Sequence, residues 1–390
     1  MEKVLVLDAN QRPALAITRS LGQRGIWVLT AGETTRSLAG SSKFCKESFS
    51  YPSPYKFQEK FIDVIKKEIL NRNINVIFPV TDVTTHIILK NKEKFGFINI
   101  PFAHFDEYEK LTNKWELFKI AQKLEIPCPK TYFIENYSSF LNLTSTLTSW
   151  HFPLVLKPFR SRIEDNGKYV SASVVYANSM EDLKEKVKSI DYFRNYPFLI
   201  QEYIEGEGRG IFTIYNNGTP VCFFAHRRIR EKPPSGGVSV LSESITVDPY
   251  LKKLSKKILD YVNWHGPAMV EFKVSKGGCP YLMEVNARFW GSLQLAIDSG
   301  VDFPWLLYQI AIGKKPDFVN NYKIGLKSRW LLGDLDNLYL TLKENKKFNF
   351  KIKSIIKFLN FFSKDVYYEI NRFNDLLPFI FEIKNYLTSK

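Results

Sequence analysis

Apolar residues in the first hundred positions alternate between two periods. Val4-Leu5-Val6-Leu7 is a short continuous apolar run, the pattern of a buried strand. Pro13–Gln23 repeats at helical spacing, with Pro near its start and Gly25 just past its end. Ile26–Thr30 reads as the next strand, Tyr55–Asn71 as a long amphipathic helix, Asn75–Phe78 as a strand and Val83–Lys92 as a helix. This rhythm predicts a doubly wound parallel sheet. The turn after the first strand, Asp8-Ala9-Asn10-Gln11-Arg12-Pro13, lacks G-x-G-x-x-G, so no dinucleotide is expected on it.

The pattern then changes. Tyr108–Leu124 predicts a helix that ends at the turn Ile126-Pro127-Cys128-Pro129. Phe152–Pro158, Lys168–Tyr176 and Phe198–Glu202 read as strands, and Met180–Ile190 as a helix. Gly210–Arg230 predicts a hairpin around Asn217-Gly218, and Pro267–Asn286 a second around Gly277-Gly278, with the helix Tyr250–Asn263 between them. From Asp334 onward the chain reads as amphipathic helix rich in Phe, Ile, Leu and Lys. The fold class is thus α/β and α+β multidomain, divided into residues 1–105, 106–315 and a basic helical extension over 316–390.

Composition narrows the function classes. No stretch is long and apolar enough to span a membrane, and the first strand is too short for a signal-peptide core. Cys45, Cys128, Cys222 and Cys279 are far apart, which suggests neither a zinc site nor a disulfide framework; a cytoplasmic location is expected. The net charge is +15, and residues 314–390 carry 15 Lys/Arg against 8 Asp/Glu. A nucleic-acid surface, a membrane-surface patch, general attraction of polyanions and a plain solvated surface all fit that excess.

The second hairpin carries candidate chemistry. A two-residue turn at Gly277-Gly278 gives cross-strand partners whose numbers sum to 555, so Glu271 faces Glu284, and Asn286 lies on the same face. Two like charges among apolar neighbours call for a cation between them. Two carboxylates and an amide oxygen suit Mg²⁺ shared with phosphates. The competing reading is solvent exposure, or pairing with Lys273 and Arg288. Arg288 is placed to neutralise charge on a transferring phosphoryl group, and the helix after Phe289-Trp290-Gly291-Ser292 could offer N–H groups to an anion.

Val155-Leu156-Lys157-Pro158 places a lone Lys at the end of an apolar strand, and Gln201-Glu202-Tyr203-Ile204-Glu205-Gly206-Glu207-Gly208 ends another with acids and glycines. Strand–Lys, strand–Gln-Glu-Tyr-Ile, Glu on a strand, then Glu-x-Asn-x-Arg, in that order, strongly resembles the ATP-grasp family of carboxylate–amine and carboxylate–thiol ligases. That family includes D-alanine–D-alanine ligase, biotin carboxylase and the carbamoyl-phosphate synthetase large chain. The resemblance covers about residues 1–315. It implies an N-terminal doubly wound domain and a two-lobed ATP-grasp domain with antiparallel sheets, the small lobe over about 130–202 and the large lobe over about 203–315. It implies ATP and Mg²⁺ as cofactors, with Mn²⁺ as a substitute. Lys114 and Lys157 would hold phosphates; Glu202, Tyr203 and Ile204 the adenine; and Glu207, with Glu205 close by, the ribose. Glu271, Glu284 and Asn286 would hold the metal, and Arg288 would steady an acyl phosphate.

The loop after Lys157 departs from the family. Phe159-Arg160-Ser161-Arg162-Ile163-Glu164-Asp165-Asn166-Gly167 has two arginines and one late Gly where glycines are usual. On the substrate side, alternation puts Cys222, Phe224, His226, Arg228 and Arg230 on one face. Arg228 and Arg230 would contact a carboxylate, with Arg230 beside Arg288 as a catalytic candidate. His226 reads as a packed histidine rather than a general base. The turn-rich stretch Glu231–Val238 supplies Gly236 and Gly237, and Ser292 completes the substrate set. Arg329 and Trp330 could return to the site. The implied activity is ligation of a small carboxylic acid, such as an amino acid, to an amine, releasing ADP and phosphate. The alternatives are a small-molecule kinase and a polyanion-binding protein using the basic tail. Partners would be small molecules and a second copy in a homodimer, with no obligatory nucleic acid and no transmembrane segment.

Overall fold

Four parallel strands begin the chain: β1 (Lys3–Val6), β2 (Trp27–Gly32), β3 (Glu47–Ser50) and β4 (Val76–Phe78), in the order β3-β2-β1-β4. Helices α1 (Arg12–Gly22), α2 (Gln58–Arg72) and α3 (Asp82–Lys90) connect them or follow them. The computed structural model describes residues 2–143, 151–234, 236–344, 348–359 and 365–388. β1 lies between two neighbours, and Val4, Leu5 and Val6 are fully buried. β3 was not legible in the sequence, because Glu47-Ser48-Phe49-Ser50 buries only its Phe on the sheet edge. Directly after β1, the half-buried Asp8 carboxylate accepts from the Val80 and Thr81 N–H groups (3.1 and 2.8 Å) and from the Thr84 hydroxyl (2.5 Å). It thereby fixes the turn from which α3 starts, with Asp82 in its first turn.

The helix expected over Tyr108–Leu124 is two helices, α4 (Phe105–Thr112) and α5 (Lys114–Lys123). They break at Asn113, whose side-chain oxygen accepts from Trp115 N–H at 3.0 Å. Capping competes with helix continuation here, as Asn favours it to do. The break makes Lys114 the first residue of α5 and buries it.

The small lobe is a four-stranded antiparallel sheet of β5 (Thr131–Ile134), β6 (Leu154–Pro158), β9 (Val175–Ala177) and β10 (Phe198–Glu202), ordered β5-β10-β6-β9. Helices α6 (Tyr137–Leu143), α7 (Met180–Ser189) and α8 (Asp191–Asn195) accompany it. The single strand expected over Lys168–Tyr176 is divided. Its first part, β8 (Lys168–Ser171), pairs instead with β7 (Arg162–Asp165) in a hairpin turning at Asn166 and Gly167, both at positive φ.

The large lobe holds β11 (Gly206–Asn216), β12 (Thr219–Lys232), β13 (Val238–Ile245), β14 (Gly266–Ser275) and β15 (Pro280–Asn286), with α9 (Pro249–Tyr261), α10 (Leu293–Ser299) and α11 (Phe303–Ala311). The C-terminal region is not only helical. Besides α12 (Leu331–Lys343), α13 (Phe348–Leu359) and α14 (Leu377–Thr388) it gives two short strands, β16 (Lys327–Arg329) and β17 (Val366–Tyr368). These lengthen the sheet to β15-β14-β11-β12-β13-β16-β17. Three-residue strands were too short to register as period-two alternation.

Two apolar cores result. One joins the N-terminal sheet to the large lobe: Phe78, Phe102 and Phe289 meet with ring centroids 6.1–6.3 Å apart. The small lobe has its own core around Phe140, Phe193 and Phe198. Asn113→Ala should lower stability by about 1 kcal/mol through the lost cap. Urea unfolding checks this, and an unchanged midpoint would contradict the assigned role of the break.

Candidate active site

β14 and β15 set Glu271 directly opposite Glu284, and Met269 opposite Asn286. The turn is one residue longer than the sequence suggested. Ser275 N–H donates to Cys279 O at 2.9 Å, leaving Lys276-Gly277-Gly278 as the loop, with Gly278 at φ +81°. Phe272 therefore pairs with Leu282, one residue out of the expected step, and an irregularity beside Glu271 restores the pairing.

Each carboxylate faces its own cation. Arg228 Nη2 donates to Glu271 Oε2 at 3.0 Å, and Lys114 Nζ stands 3.5 Å from Glu284 Oε2. Asn286 Nδ2 also donates to Glu284 Oε1 at 2.9 Å. Burial pushes the Glu271 carboxyl upward, with Arg228 opposing and the Glu284 charge adding to the rise. Burial acts on Glu284 too, but Lys114, the Asn286 amide, Lys157 and Arg288 together overcome it and hold that carboxyl at about 2. Lys157 is pushed down to about 8, by burial first and by the Lys114 charge second.

These groups open into one cleft of about 640 Å³ between the lobes. It gathers Lys114, Lys157, Glu202, Tyr203, Ile204, Glu207, Arg228, Gly236, Gly237, Glu271 and Glu284, each singled out in the sequence. Ser235, inside the same turn-rich loop, lies outside the described residues. Glu207 lines the cleft, whereas Glu205 reaches away to Lys276 at 2.8 Å. One end of the cleft has an apolar lining that sequence reasoning did not assign: Val155, Val174, Tyr176, Phe272 and Met283. All but Val174, which precedes β9, are strand residues, and alternation does not say which strands would meet. Gln201 Oε1, in the same lining, is buried and accepts no hydrogen bond among the described residues, while its amide nitrogen donates to Thr131. A flat, hydrogen-bonding heterocycle fits an apolar slot with one free acceptor. Among the described residues no three His, Cys, Asp or Glu side chains form a metal-binding group. Two carboxylates suit Mg²⁺ when phosphate oxygens and water complete its shell.

Arg230, Ser292, Arg329 and Trp330 lie outside the cleft, and Asn286 and Arg288 stand beside it rather than in its lining. Arg230 does not share a face with Arg228. β12 loses register between them: Arg228 pairs with Ser242 but Arg230 with Leu241, and consecutive partners lie on opposite faces. Arg230 instead donates from Nε and Nη2 to the buried Asp334 of α12, at 2.6 Å each. Arg329 also ends on Asp334, at 2.7 Å, and Trp330 stacks on Arg12 at 4.1 Å; neither lines the cleft. Ser292 is buried against His226, Oγ to Nε2 2.8 Å. His226 stacks on Phe212 at 4.6 Å, and burial holds it at about 3, which suits a packed neutral ring.

Arg288 is anchored from the N-terminal domain. Its Nε and Nη2 donate to Asp82 at 2.6 and 3.0 Å, and Nη2 reaches Asn286 Oδ1 at 3.4 Å. Asp82, Asn286 and Glu284 line a small pocket of about 50 Å³, which shares Lys114 and Glu284 with the main cleft. Asp82 was missed because its only sequence signal is an acid in a helix's first turn. Arg160, Ser161 and Arg162 of the atypical loop line this pocket, and Arg160 pairs with Glu109.

Residues 194–331 match the family model described as ATP-grasp in the biosynthetic pathway with Ter operon. No curated protein sequence matches the chain. Among solved structures, an L-amino acid ligase from Bacillus licheniformis is similar at a TM-score of 0.63 and 17% identity, covering 81% of this chain and 75% of that one. A biotin carboxylase–ATP-analogue complex from Campylobacter jejuni is similar at 0.62 and 15%, covering 84% and 74%. N5-carboxyaminoimidazole synthetase from Staphylococcus aureus complexed with ADP is similar at 0.63 and 13%, covering 84% and 80%. The chain has an ATP-grasp fold like that of carboxylate–amine ligases.

The Lys157 charge is present near neutral pH and lost as pH rises through about 8. With Lys157 on a nucleotide phosphate, as the family resemblance implies, affinity for Mg–ATP should weaken by up to about tenfold per pH unit above that point, and Lys157→Arg should flatten the profile. Calorimetric titration across that range checks this; a wild-type Kd that stays constant would refute it.

Proposed function

We propose that this ATP-grasp protein is a Mg–ATP-dependent ligase that activates a small carboxylic acid as an acyl phosphate and joins it to an amine. The observation that carries the reading is the face-to-face pair Glu271 and Glu284, flanked by Lys114 and Lys157 in one cleft. Such alternation of charge suits a metal and a polyphosphate that both arrive with the nucleotide.

In this reading Lys114 and Lys157 bind the phosphates. The Glu202–Ile204 hinge, the apolar slot and Gln201 Oε1 receive adenine, and Glu207 the ribose. Glu271, Glu284 and Asn286 hold Mg²⁺, which when bound screens the phosphate charge and polarises the terminal phosphoryl group. Arg228 can turn from Glu271 to a substrate carboxylate, forming the same kind of charge-assisted bond. Arg288, held by Asp82, stands where charge on a transferred phosphoryl group would build up. Arg230 donates twice to Asp334 and in this reading anchors α12 rather than meeting the substrate.

The carboxylate oxygen attacks the γ-phosphorus, the bond to the β-phosphate oxygen breaks, and ADP leaves. An amine then attacks the acyl carbon and expels phosphate. The chain supplies no covalent nucleophile; its residues position the reactants and compensate charge. The L-amino acid ligase likeness directs the choice of acid toward amino acids.

A screen of acid and amine pairs for ADP and phosphate release tests the proposal. The correct pair should release both in equal amounts, and Glu284→Ala should cut the rate at least about 100-fold. AMP with pyrophosphate would overturn the acyl-phosphate step. ADP without free phosphate would indicate a kinase.

A further inference from the structure

The C-terminal region turns a strongly apolar helix face toward solvent. α13 has twelve residues, none of them buried. Phe348, Ile352, Ile355, Ile356 and Leu359 recur at i, i+4, i+7, i+8 and i+11, which puts them on a single stripe. They are 75, 39, 37, 62 and 56% exposed. In a globular protein such a stripe is normally the face by which a helix packs.

α13 packs by a different side. Phe358 lies beneath the Arg329 guanidinium at 4.5 Å, and its carbonyl accepts from Arg329 Nη2 at 2.7 Å. The stripe is left outward, and the charged residues of the helix are Lys351, Lys353 and Lys357, with no acid. By helical spacing Lys351 and Lys353 flank the stripe, while Lys357 lies opposite it beside Phe350 and lines a pocket with Arg228 and Arg329. An amphipathic helix whose apolar stripe is flanked by lysines suits an interface that is apolar inside and anionic outside. A second copy of this chain fits less well, because two α13 helices packed stripe to stripe would bring the flanking Lys351 and Lys353 of each together with no carboxylate on either helix. A nucleic acid would satisfy the lysines but leave the five apolar side chains in water. No helix among the described residues can cross a membrane, so the contact would lie along the surface.

We propose that α13 is a surface anchor: it lies on an anionic lipid bilayer with Phe348, Ile352, Ile355, Ile356 and Leu359 inserted and the flanking Lys351 and Lys353 at the headgroups. This holds the nucleotide cleft at a membrane and is independent of which acid is ligated. At 1.5 Å per residue the helix lays down roughly 18 Å of contact, and each lysine near the surface strengthens binding about fivefold.

Sedimentation of the full-length protein with vesicles tests this. It should bind vesicles of phosphatidylglycerol and phosphatidylcholine at low salt, release as salt rises, and ignore pure phosphatidylcholine. Ile352→Asp with Ile356→Asp, and separately Lys351→Glu with Lys353→Glu, should each reduce binding at least tenfold. Circular dichroism and Mg–ATP affinity should be unchanged, since none of these side chains is buried or lines the cleft. Failure of the wild type to bind anionic vesicles, or wild-type binding by both variants, would overturn the proposal. So would a dimer that the isoleucine variant dissolves while vesicles are ignored, which would assign the stripe to a second copy. Preference for duplex DNA over vesicles, unaffected by the isoleucine changes, would overturn it as well.

Discussion

Two carboxylates facing each other across a β-hairpin are the constraint around which this protein is arranged. At a cross-strand separation of about 5 Å and an effective dielectric of about 20, their repulsion is of the order of 3 kcal/mol. A single exposed ion pair does not offset that. The chain brings cations from separate regions: Lys114 from α5, Lys157 from the small lobe, Arg228 from β12 and Arg288 from beyond β15. Arg288 is itself held by Asp82 of the N-terminal domain. The hairpin's charge thus ties together units whose apolar cores are only partly shared.

Each tie depends on a local feature of backbone chemistry. Asp8 collects the N–H groups of the Val80–Thr81 turn, and α3 then begins with Asp82 in reach of Arg288. Asn113 ends one helix and caps the next, and Lys114 enters the cleft as the first residue of α5. Gly206 lies so close to Val274 that a Cβ would come within 2.2 Å of its carbonyl oxygen. A larger residue there would push β11 off β14 where the cleft begins.

Much of this was legible in the sequence, though not always for the expected reason. The Glu271–Glu284 pairing followed from a two-residue turn, but the turn has three residues and an irregularity beside Glu271 cancels the slip. Period-two reasoning failed at Arg230 because nothing local announces the irregularity that turns it toward Asp334. The apolar slot could not be read at all. Val155, Tyr176, Phe272 and Met283 lie on four different strands, and only the finished sheets bring them together. Strong periodicity revealed the long helices and both hairpins, whereas the short strands β3, β16 and β17 carry too few residues to show a period.

The β7–β8 hairpin belongs by sequence to the small lobe yet rests on the N-terminal domain. Tyr169 N–H donates to Tyr55 O at 2.9 Å, the Tyr169 hydroxyl meets His86 Nδ1 at 2.6 Å, and Lys90 reaches Glu164 at 2.7 Å. The lobe behind it keeps its ring-filled interior to itself. This latch also packs the Tyr169 ring on Tyr55 and His86, so undoing it wets that ring while water substitutes for each polar bond it breaks. Movement of the lobe would then resemble exchanging solvent at a clasp more than unpacking a fold, and it would recur without the lobe approaching its own melting.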